Sequence, residues 1–117
     1  MRPEHEKLLP LAPAPLHILL ALAEEDLHGY AIMQEVARQS GGVYKLGPGT
    51  LYDNLQRLVD KGLVHELGRK ISDTDSRRRY YRLSAAGRRV LATEVKRLEE
   101  MVRRARLHLA ELKPGRA

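Results

Sequence analysis

Apolar residues recur at helical spacing in three segments of the first half of the chain. The first follows Pro15, a residue that fits the first turn of a helix, and ends near Glu24. The second lies between Gly29 and residues 41–42, and the third follows residues 47–48 and ends at Lys61 and Gly62. Their apolar faces consist, in chain order, of Leu16, Leu19, Leu20 and Ala23; of Ile32, Met33, Val36 and Ala37; and of Leu51, Leu55, Leu58 and Val59.

Two short runs rich in strand-forming residues come after the third helix, at residues 63–67 and 80–83. Residues 68–79 between them are polar and contain many turn-forming residues, so the pattern predicts a hairpin with a long basic tip. Tyr80 and Tyr81 are neighbours on the second strand. Their side chains must therefore point to opposite faces, and we expect one of them in the core.

Residues 84–112 are predicted to form one long helix, with Ser84 as its N-cap. Its apolar positions alternate by four and three residues over about three heptads. Such a helix extends on the order of 40 Å, which is longer than so small a domain covers. We expect the first turns to pack on the chain's own core and the rest of the stripe to pack on a second copy. The stripe consists of Leu91, Val95, Leu98, Val102, Ala105, Leu109 and Leu112.

Length and composition narrow the class of protein. The chain has 117 residues, which fits one domain, and it has no cysteine for a disulfide, a thiolate metal site or a cysteine nucleophile. Its longest uncharged apolar stretch, residues 8–23, contains three prolines and is too short to span a membrane. These features predict a soluble, cytoplasmic protein without a membrane partner.

The basic charge is concentrated in the second half of the chain. The formal net charge is +6, with 21 Lys and Arg against 15 Asp and Glu. Residues 67–83 carry +4 and residues 84–117 carry +5, whereas residues 1–46 and 47–66 carry −2 and −1. A localised basic patch favours a polyanionic partner.

Three helices followed by a basic hairpin predict a mainly α (α+β) fold, a winged helix-turn-helix with a long C-terminal dimerisation helix. In that arrangement the third helix enters the major groove of DNA, and the hairpin, or wing, lies over phosphates or the minor groove. The predicted parts are a flexible N-terminal arm at 1–12, the DNA-binding domain at 13–83, the dimerisation helix at 84–112 and a disordered tail at 113–117.

The predicted recognition helix, residues 47–61, is neutral in net charge, and the predicted wing, residues 68–79, carries the cations. Polar side chains of the helix are expected to address base edges, and arginine is suited to a narrow minor groove. The Tyr52 hydroxyl either contacts a phosphate or fills the core, while Tyr30 is expected to pack. The candidate DNA contacts are Gly49, Thr50, Tyr52, Asp53, Asn54, Gln56, Arg57, Lys61, Arg69, Lys70, Arg77, Arg78 and Arg79.

Four short strings at residues 28–32, 47–52, 61–64 and 79–84 together resemble the PadR family of transcriptional regulators. They read HGYAI, GPGTLY, KGLV and RYYRLS. The resemblance covers residues 13–112 and implies a homodimeric winged-helix repressor of the short subfamily, which dimerises through a single C-terminal helix. It also implies that Thr50, Tyr52 and the basic residues before Tyr80 contact DNA.

Two departures from the family pattern limit what the resemblance implies. Asp53 and Asn54 stand where many members have apolar or small residues, so base preference at that point does not carry over. Some short members stack flat aromatic drugs on tryptophan, and this chain has no tryptophan. We therefore expect no multidrug site of that type.

The sequence contains no residue pattern typical of an enzyme active site or a cofactor site. The five histidines show no helical pairing with each other or with a carboxylate cluster, so no metal site is predicted. Residues 47–49 lack the Lys-Ser/Thr of a phosphate loop, and the serines lie in predicted turns and caps. We expect neither an enzyme nor a bound cofactor.

The patterns leave two hypotheses for function. The first is a dimeric repressor that binds double-stranded DNA at a palindromic operator, with a small-molecule effector as a further partner. An effector pocket is expected between the first helix and the C-terminal helix of the partner, lined by Leu16, His17, Leu98 and Met101. The second is a winged-helix protein-interaction module whose wing binds an acidic protein surface. Duplex binding that weakens steeply with salt distinguishes the first from the second.

Overall fold

The computed structural model describes residues 2–68 and 78–110. Within these residues, the predicted three helices, hairpin and long C-terminal helix are all present, and the fold is a winged helix-turn-helix. A short N-terminal helix and a short first strand are additional. The elements in chain order are α1 (Pro3–Glu6), α2 (Pro13–Ala21), β1 (Leu27–His28), α3 (Gly29–Gln39), α4 (Pro48–Asp60), β2 (Val64–Glu66), β3 (Tyr80–Leu83) and α5 (Ala85–Ala110).

The core lies between α2, α3 and α4. Helices α3 and α4 turn their predicted apolar faces inward. Helix α2 is apolar nearly all round and buries Ile18, Leu19 and Ala21, whereas Leu16, Leu20 and Ala23 of its predicted face are only half-buried. Ile18 of α2, Ile32 of α3 and Leu51 of α4 are completely buried, and Leu55 is nearly so. In α3 and α4, the spacing of the buried residues in the sequence places them on one face of each helix. Burial of such side chains contributes about 1.5–3 kcal/mol each, so this cluster fixes the position of α4 relative to the rest of the domain.

A three-stranded antiparallel sheet flanks the helices in the order β1, β3, β2. Leu27 of β1 pairs with Tyr81, and Val64 of β2 pairs with Leu83. Tyr81 is buried and Tyr80 is half-buried, which confirms that one of the two tyrosines belongs to the core. The hairpin of β2 and β3 thus holds the base of the wing against the helices.

Ser84 and Gly87 connect the sheet to α5. The Ser84 hydroxyl accepts a hydrogen bond from the Gly87 backbone N–H at 2.9 Å and donates to the Gly62 carbonyl at 2.7 Å. This confirms Ser84 as the cap of α5. A Cβ at Gly87 would overlap the Leu63 carbonyl oxygen, so glycine permits α5 to cross the start of the hairpin closely.

The N-terminal segment differs from the flexible arm predicted for residues 1–12. Residues 3–6 form α1, and Leu8, Leu9 and Leu11 pack against the core. The Leu11 backbone N–H donates to Oε2 of Glu94 in α5 at 2.6 Å. The three leucine side chains are partly buried against the core, so residues 8–11 belong to the folded domain and not to a flexible arm.

The second half of α5 projects beyond the domain. All side chains from residue 99 to residue 110 are exposed, and the described residues extend over 60 × 34 × 23 Å. Twelve residues of helix add about 18 Å of length. Residues 111 and 112 and the predicted tail at 113–117 lie outside the described residues. In the part of the chain that the structure describes, no helix is long and apolar enough to cross a membrane.

Candidate nucleic-acid interface

The first turn of α4 is open to solvent. Gly47 precedes it in an extended conformation and makes no side-chain cap, and Pro48 occupies the first helical position. Gly49 and Thr50 are exposed in this turn. The first N–H groups of a helix have no partner within the helix, and they carry partial positive charge. This turn is therefore suited to an anionic oxygen such as a DNA phosphate.

The outward face of α4 carries the predicted contacts. Asp53, Gln56, Arg57 and Lys61 are exposed, whereas Asn54 is half-buried. The inward face is formed by the core leucines, so these two faces separate as the helical period predicts. With two acidic residues, Asp53 and Asp60, against Arg57 and Lys61, the helix itself supplies no net attraction for phosphates.

Two amides of α4 that were predicted to address bases are engaged within the helix. Nδ2 of Asn54 donates to the Thr50 carbonyl at 2.8 Å, and Nε2 of Gln56 donates to Oδ1 of Asp60 at 2.9 Å. Each amide keeps a second N–H group and its carbonyl oxygen, which remain available to a base edge.

Tyr52 lies where α4 meets the start of α3. Its hydroxyl contacts Gly29 so closely that a Cβ at position 29 would overlap it. The side chain is nevertheless 49% exposed. Tyr52 therefore packs on Gly29 without filling the core, and its contact with a phosphate stays a prediction.

A cavity of about 350 Å³ opens beside Tyr52, between the start of α3 and the base of the wing. Tyr30 borders it and is 60% exposed, so the prediction that Tyr30 packs is wrong. His28 caps α3 through Nδ1, which accepts from the Ala31 N–H at 3.2 Å, and its ring meets Tyr80 edge-on at 5.3 Å. The cavity is lined by His28, Gly29, Tyr30, Tyr52, Arg78, Arg79 and Tyr81.

Two arginines of the hairpin, Arg79 and Arg82, are held by carboxylates. Nη1 of Arg79 donates to Oε1 of Glu66 across the hairpin at 2.7 Å, and this bond raises the pKa of Arg79 above its ordinary value. Arg82, which the sequence did not single out, makes two bonds to Asp26 at 3.0 and 2.8 Å. Arg78 is exposed. The predicted contacts Arg69, Lys70 and Arg77 lie outside the described residues.

The predicted dimerisation stripe changes environment along α5. Leu91 is buried in the domain, Val95 and Leu98 are half-buried, and Ala105 is exposed. Val102 and Leu109 are 48% and 65% exposed, and Val95, Leu98 and Val102 of the stripe line a groove of about 730 Å³ that Ala105 and Leu109 do not line. Apolar side chains at this exposure form a surface suited to a partner. Leu112 lies outside the described residues.

The four residues predicted to line an effector pocket differ in burial and in their contacts. Leu16 and Leu98 are half-buried. The ring of His17 stacks on Tyr44, with ring centroids 4.4 Å apart, and its Nδ1 is buried with no hydrogen-bond partner within the described residues. Met101 is exposed, and its sulfur accepts from Nη1 of Arg97 at 3.0 Å.

The sequence reasoning missed Glu94, the one fully buried carboxylate within the described residues. It accepts from the Leu11 N–H and, at 2.5 and 3.1 Å, from Nε and Nη2 of Arg97. The bonds from Arg97, followed by that from Leu11, hold the pKa of Glu94 below its ordinary value although burial opposes this. Its position three residues after Leu91 places Glu94 on the inward face of α5. The spacing of three to Arg97 permits the ion pair but does not indicate burial, since Glu100 and Arg103 have the same spacing in an exposed pair.

No cluster of three or more His, Cys, Asp or Glu side chains that could hold a metal ion occurs within residues 2–68 and 78–110. The site therefore consists of an exposed helix face, a cationic hairpin and a cavity between them. Such a surface can bind a charged polymer through phosphate contacts and hydrogen bonds.

Comparison with known proteins identifies the family. Transcriptional regulator Rv3488 of Mycobacterium tuberculosis is 40% identical over 93 residues, which cover 79% of this chain and 81% of that protein. A PadR family transcription regulator from Clostridium difficile has a TM-score of 0.72 at 22% identity, over 84% of this chain and 99% of that one.

Bacillus subtilis PadR in complex with operator DNA has a TM-score of 0.62 at 24% identity, over 74% of this chain and 48% of that one. At these identities the two solved structures show the shared fold alone. The model of the transcriptional regulator PadR-like family matches residues 18–93, more than half of the sequence. The chain therefore belongs to the PadR-like family of transcriptional regulators.

Proposed function

We propose that this chain is a homodimeric repressor in the cytoplasm that binds a palindromic operator through residues 47–61 and the wing at 68–79. The observation that carries the proposal is the exposed first turn of α4 beside the cationic base of the wing. The structural neighbour from Bacillus subtilis is a complex with operator DNA. That protein shares the fold of this chain, and this similarity supports DNA binding by this chain.

The two parts of the surface contribute different terms to binding. The wing arginines provide the attraction for phosphates that is common to all sequences. In α4, Thr50, Tyr52 and Arg57 contact bases or the adjacent backbone, and Asp53 is available to accept a bond from a cytosine amino group. Exchange of the intrahelical bond of Asn54 for a bond to adenine adds a contact that is favourable only at the correct base.

The dimer forms through the exposed half of α5. Leu98, Val102, Ala105 and Leu109 continue the stripe that begins in the core, and an apolar stripe of this length is covered by the same stripe of a second copy. Two-fold symmetry then matches a palindrome whose half-sites lie about one helical turn apart. An effector that binds near Leu16, His17, Leu98 and Met101 alters the angle between the subunits and releases the operator.

The test is duplex binding as a function of salt for the full chain, its wing variant and a matched control. Substitution of Arg77, Arg78 and Arg79 by alanine should weaken binding to every sequence and lower the slope of log affinity against log salt by about 2 to 3. Substitution of Arg2, Arg89 and Lys96 by alanine removes the same charge elsewhere on the surface and should leave most of the slope.

Two outcomes would contradict the proposal. Absent or salt-insensitive duplex binding by a verified dimer would favour a protein-interaction module instead. Equal losses in the wing variant and the control would mean that overall charge, and not the wing, attracts the duplex.

A further inference from the structure

A second cavity lies on the other flank of α4, away from Tyr52. It has a volume of about 550 Å³ and runs between residues 7–15 and the helix. Leu11 and Pro13 form its wall on the N-terminal side, and Arg57 and Lys61 form its wall on α4. Volumes of 300–1,000 Å³ are typical of sites for small organic molecules. We call this cavity the N-terminal groove.

The walls of the N-terminal groove are fixed by the fold. The N-terminal wall is fastened through Leu11, whose N–H donates to the buried Glu94, and Leu8 packs on the core. Pro10, Pro13 and Pro15 all line the groove, and proline restricts the backbone on that side. A groove with rigid walls binds a ligand at low entropic cost.

An aromatic ring closes one part of the groove. Tyr44 belongs to the lining and stacks on His17, with the ring planes 15° apart. The Ser40 hydroxyl holds the same tyrosine by accepting from its backbone N–H at 3.0 Å and donating to its carbonyl at 3.1 Å. Tyr44 is therefore a positioned aromatic side chain in the lining of the groove, suited to contact with an apolar group.

The charge of the groove is of one sign. Lys7, Arg57 and Lys61 line it, and no aspartate or glutamate is among its lining residues. None of these three cations forms a salt bridge with a carboxylate in the described part of the chain. Three cations beside leucine and proline walls attract a ligand that has a negative head and an apolar body.

We infer that the N-terminal groove binds a small amphipathic organic anion, and that this anion competes with DNA for Arg57 and Lys61. The competition rests on the proposed function, because it requires those two residues to face the operator. Binding of the anion to the groove does not depend on the proposed function. A cationic ligand is repelled by all three groups, and a neutral one gains nothing from them.

The anion binds within one chain, on the recognition helix itself, at a site distinct from the effector pocket proposed near Leu16, His17, Leu98 and Met101. The pocket predicted from the sequence requires a partner subunit, whereas the N-terminal groove is complete in a single chain. An anion that neutralises Arg57 and Lys61 removes cations from the DNA-facing helix directly. Release of the operator then needs no rotation of one subunit against the other.

The first experiment uses anilinonaphthalene sulfonate, an apolar fluorophore with one anionic group, and its uncharged relative phenylnaphthylamine. The full chain should bind the sulfonate saturably and more tightly than the uncharged probe. Lys7→Glu should weaken sulfonate binding about fivefold or more, because it replaces an attraction by a repulsion. Lys45→Glu makes the same charge change at an exposed residue outside the groove and should have a much smaller effect.

A second variant guards against binding elsewhere on the surface. Ala12 is exposed and lines the groove, so Ala12→Trp should fill it and reduce binding of both probes while the circular dichroism spectrum stays unchanged. The exposed stripe of α5 is the competing site for an apolar probe. Equal sulfonate binding in the full chain, Lys7→Glu and Ala12→Trp would place the probe there and overturn the inference.

The last experiment separates the groove from the proposed function. The sulfonate should lower duplex affinity in the full chain, and Lys7→Glu should require about fivefold more of it for the same effect. If the chain bound the sulfonate in a Lys7-dependent way but bound no duplex, the anion site in the N-terminal groove would be supported. The proposed repressor function would then be refuted. Duplex binding that the bound sulfonate leaves unchanged would refute the competition.

Discussion

The two halves of α5 carry one continuous heptad pattern and lie in opposite environments. In the first half, Leu91 of the stripe is buried beside Val90, which lies next to the stripe and is fully buried, while in the second half Val102 and Leu109 are mostly open to solvent. The pattern specifies an apolar stripe, but it does not specify which chain covers the stripe. The covering chain depends on the length of the helix relative to the domain, because α5 extends beyond the core after Val95.

The charged residues of the two halves make the same contrast. Glu94 and Glu100 each accept bonds from an arginine three residues later, Arg97 and Arg103. Glu100 also accepts from Arg104, and these bonds lower its pKa to about 2. Glu94 is completely buried and Glu100 is exposed. Water competes with the exposed pair, so the same motif supports the fold more strongly in the first half.

Val90→Asp is expected to have the largest effect. A carboxylate at this fully buried position has no partner, and the cost of more than about 4 kcal/mol approaches the whole stability of a small domain. Circular dichroism and urea unfolding should report a mostly unfolded chain. Val102→Asp is the matched control, because it is the same substitution on the exposed half and should stay folded. A Val90→Asp protein with the urea midpoint of the unsubstituted chain would refute the assignment of the first half to the core.

Val102→Asp is expected to separate folding from association. A carboxylate in the centre of the stripe should convert the dimer to a folded monomer in sedimentation, since two like charges would meet across the seam. Operator affinity should fall by about 10²–10⁴, because a monomer loses the second half-site.

Lys96→Asp is the control for this change, at an exposed position outside the heptad stripe, and it should remain dimeric. A Val102→Asp protein that sediments as a dimer would show that another surface joins the subunits.

Periodicity predicted most of this fold because most of its core forms along single helical faces. The bounds of α3 and α4 and the pairing of β2 with β3 follow from patterns within a few residues. The missed features depend on distant partners. β1 has only two residues and forms by pairing with β3, and Leu11 meets Glu94 across 83 positions of sequence.

As with the fold, the parts of the candidate site that depend on local sequence patterns could be predicted. Helical period identified the outward face of α4, and charge identified the hairpin as the cationic part. The spacing of four between Thr50 and Asn54 and between Gln56 and Asp60 also permits the intrahelical bonds that occupy these amides. The exposure of Tyr30 and the N-terminal groove depend on how elements meet in space, and no local pattern encodes this.

Glu94→Gln is expected to have the smallest of the three effects, and it tests the contrast between the two carboxylates. The neutral amide loses the charge that Arg97 binds, so the free energy of unfolding at neutral pH should fall by about 1–3 kcal/mol. Because the pKa of Glu94 is lower in the folded chain than the ordinary 4.5, its ionised form stabilises the fold. This contribution is complete above pH 4.5 and is lost as the pH falls through the lower folded value.

The difference between Glu94→Gln and the unsubstituted chain should therefore narrow in urea titrations as the pH is lowered below about 4.5. Glu100→Gln removes a carboxylate with the same arginine spacing and should leave the urea midpoint almost unchanged at neutral pH, since solvent already screens that pair. If both variants lost the same stability, burial would not distinguish the two ion pairs. A Glu94→Gln deficit that persisted at low pH would assign the loss to packing at Leu11 and not to the charge.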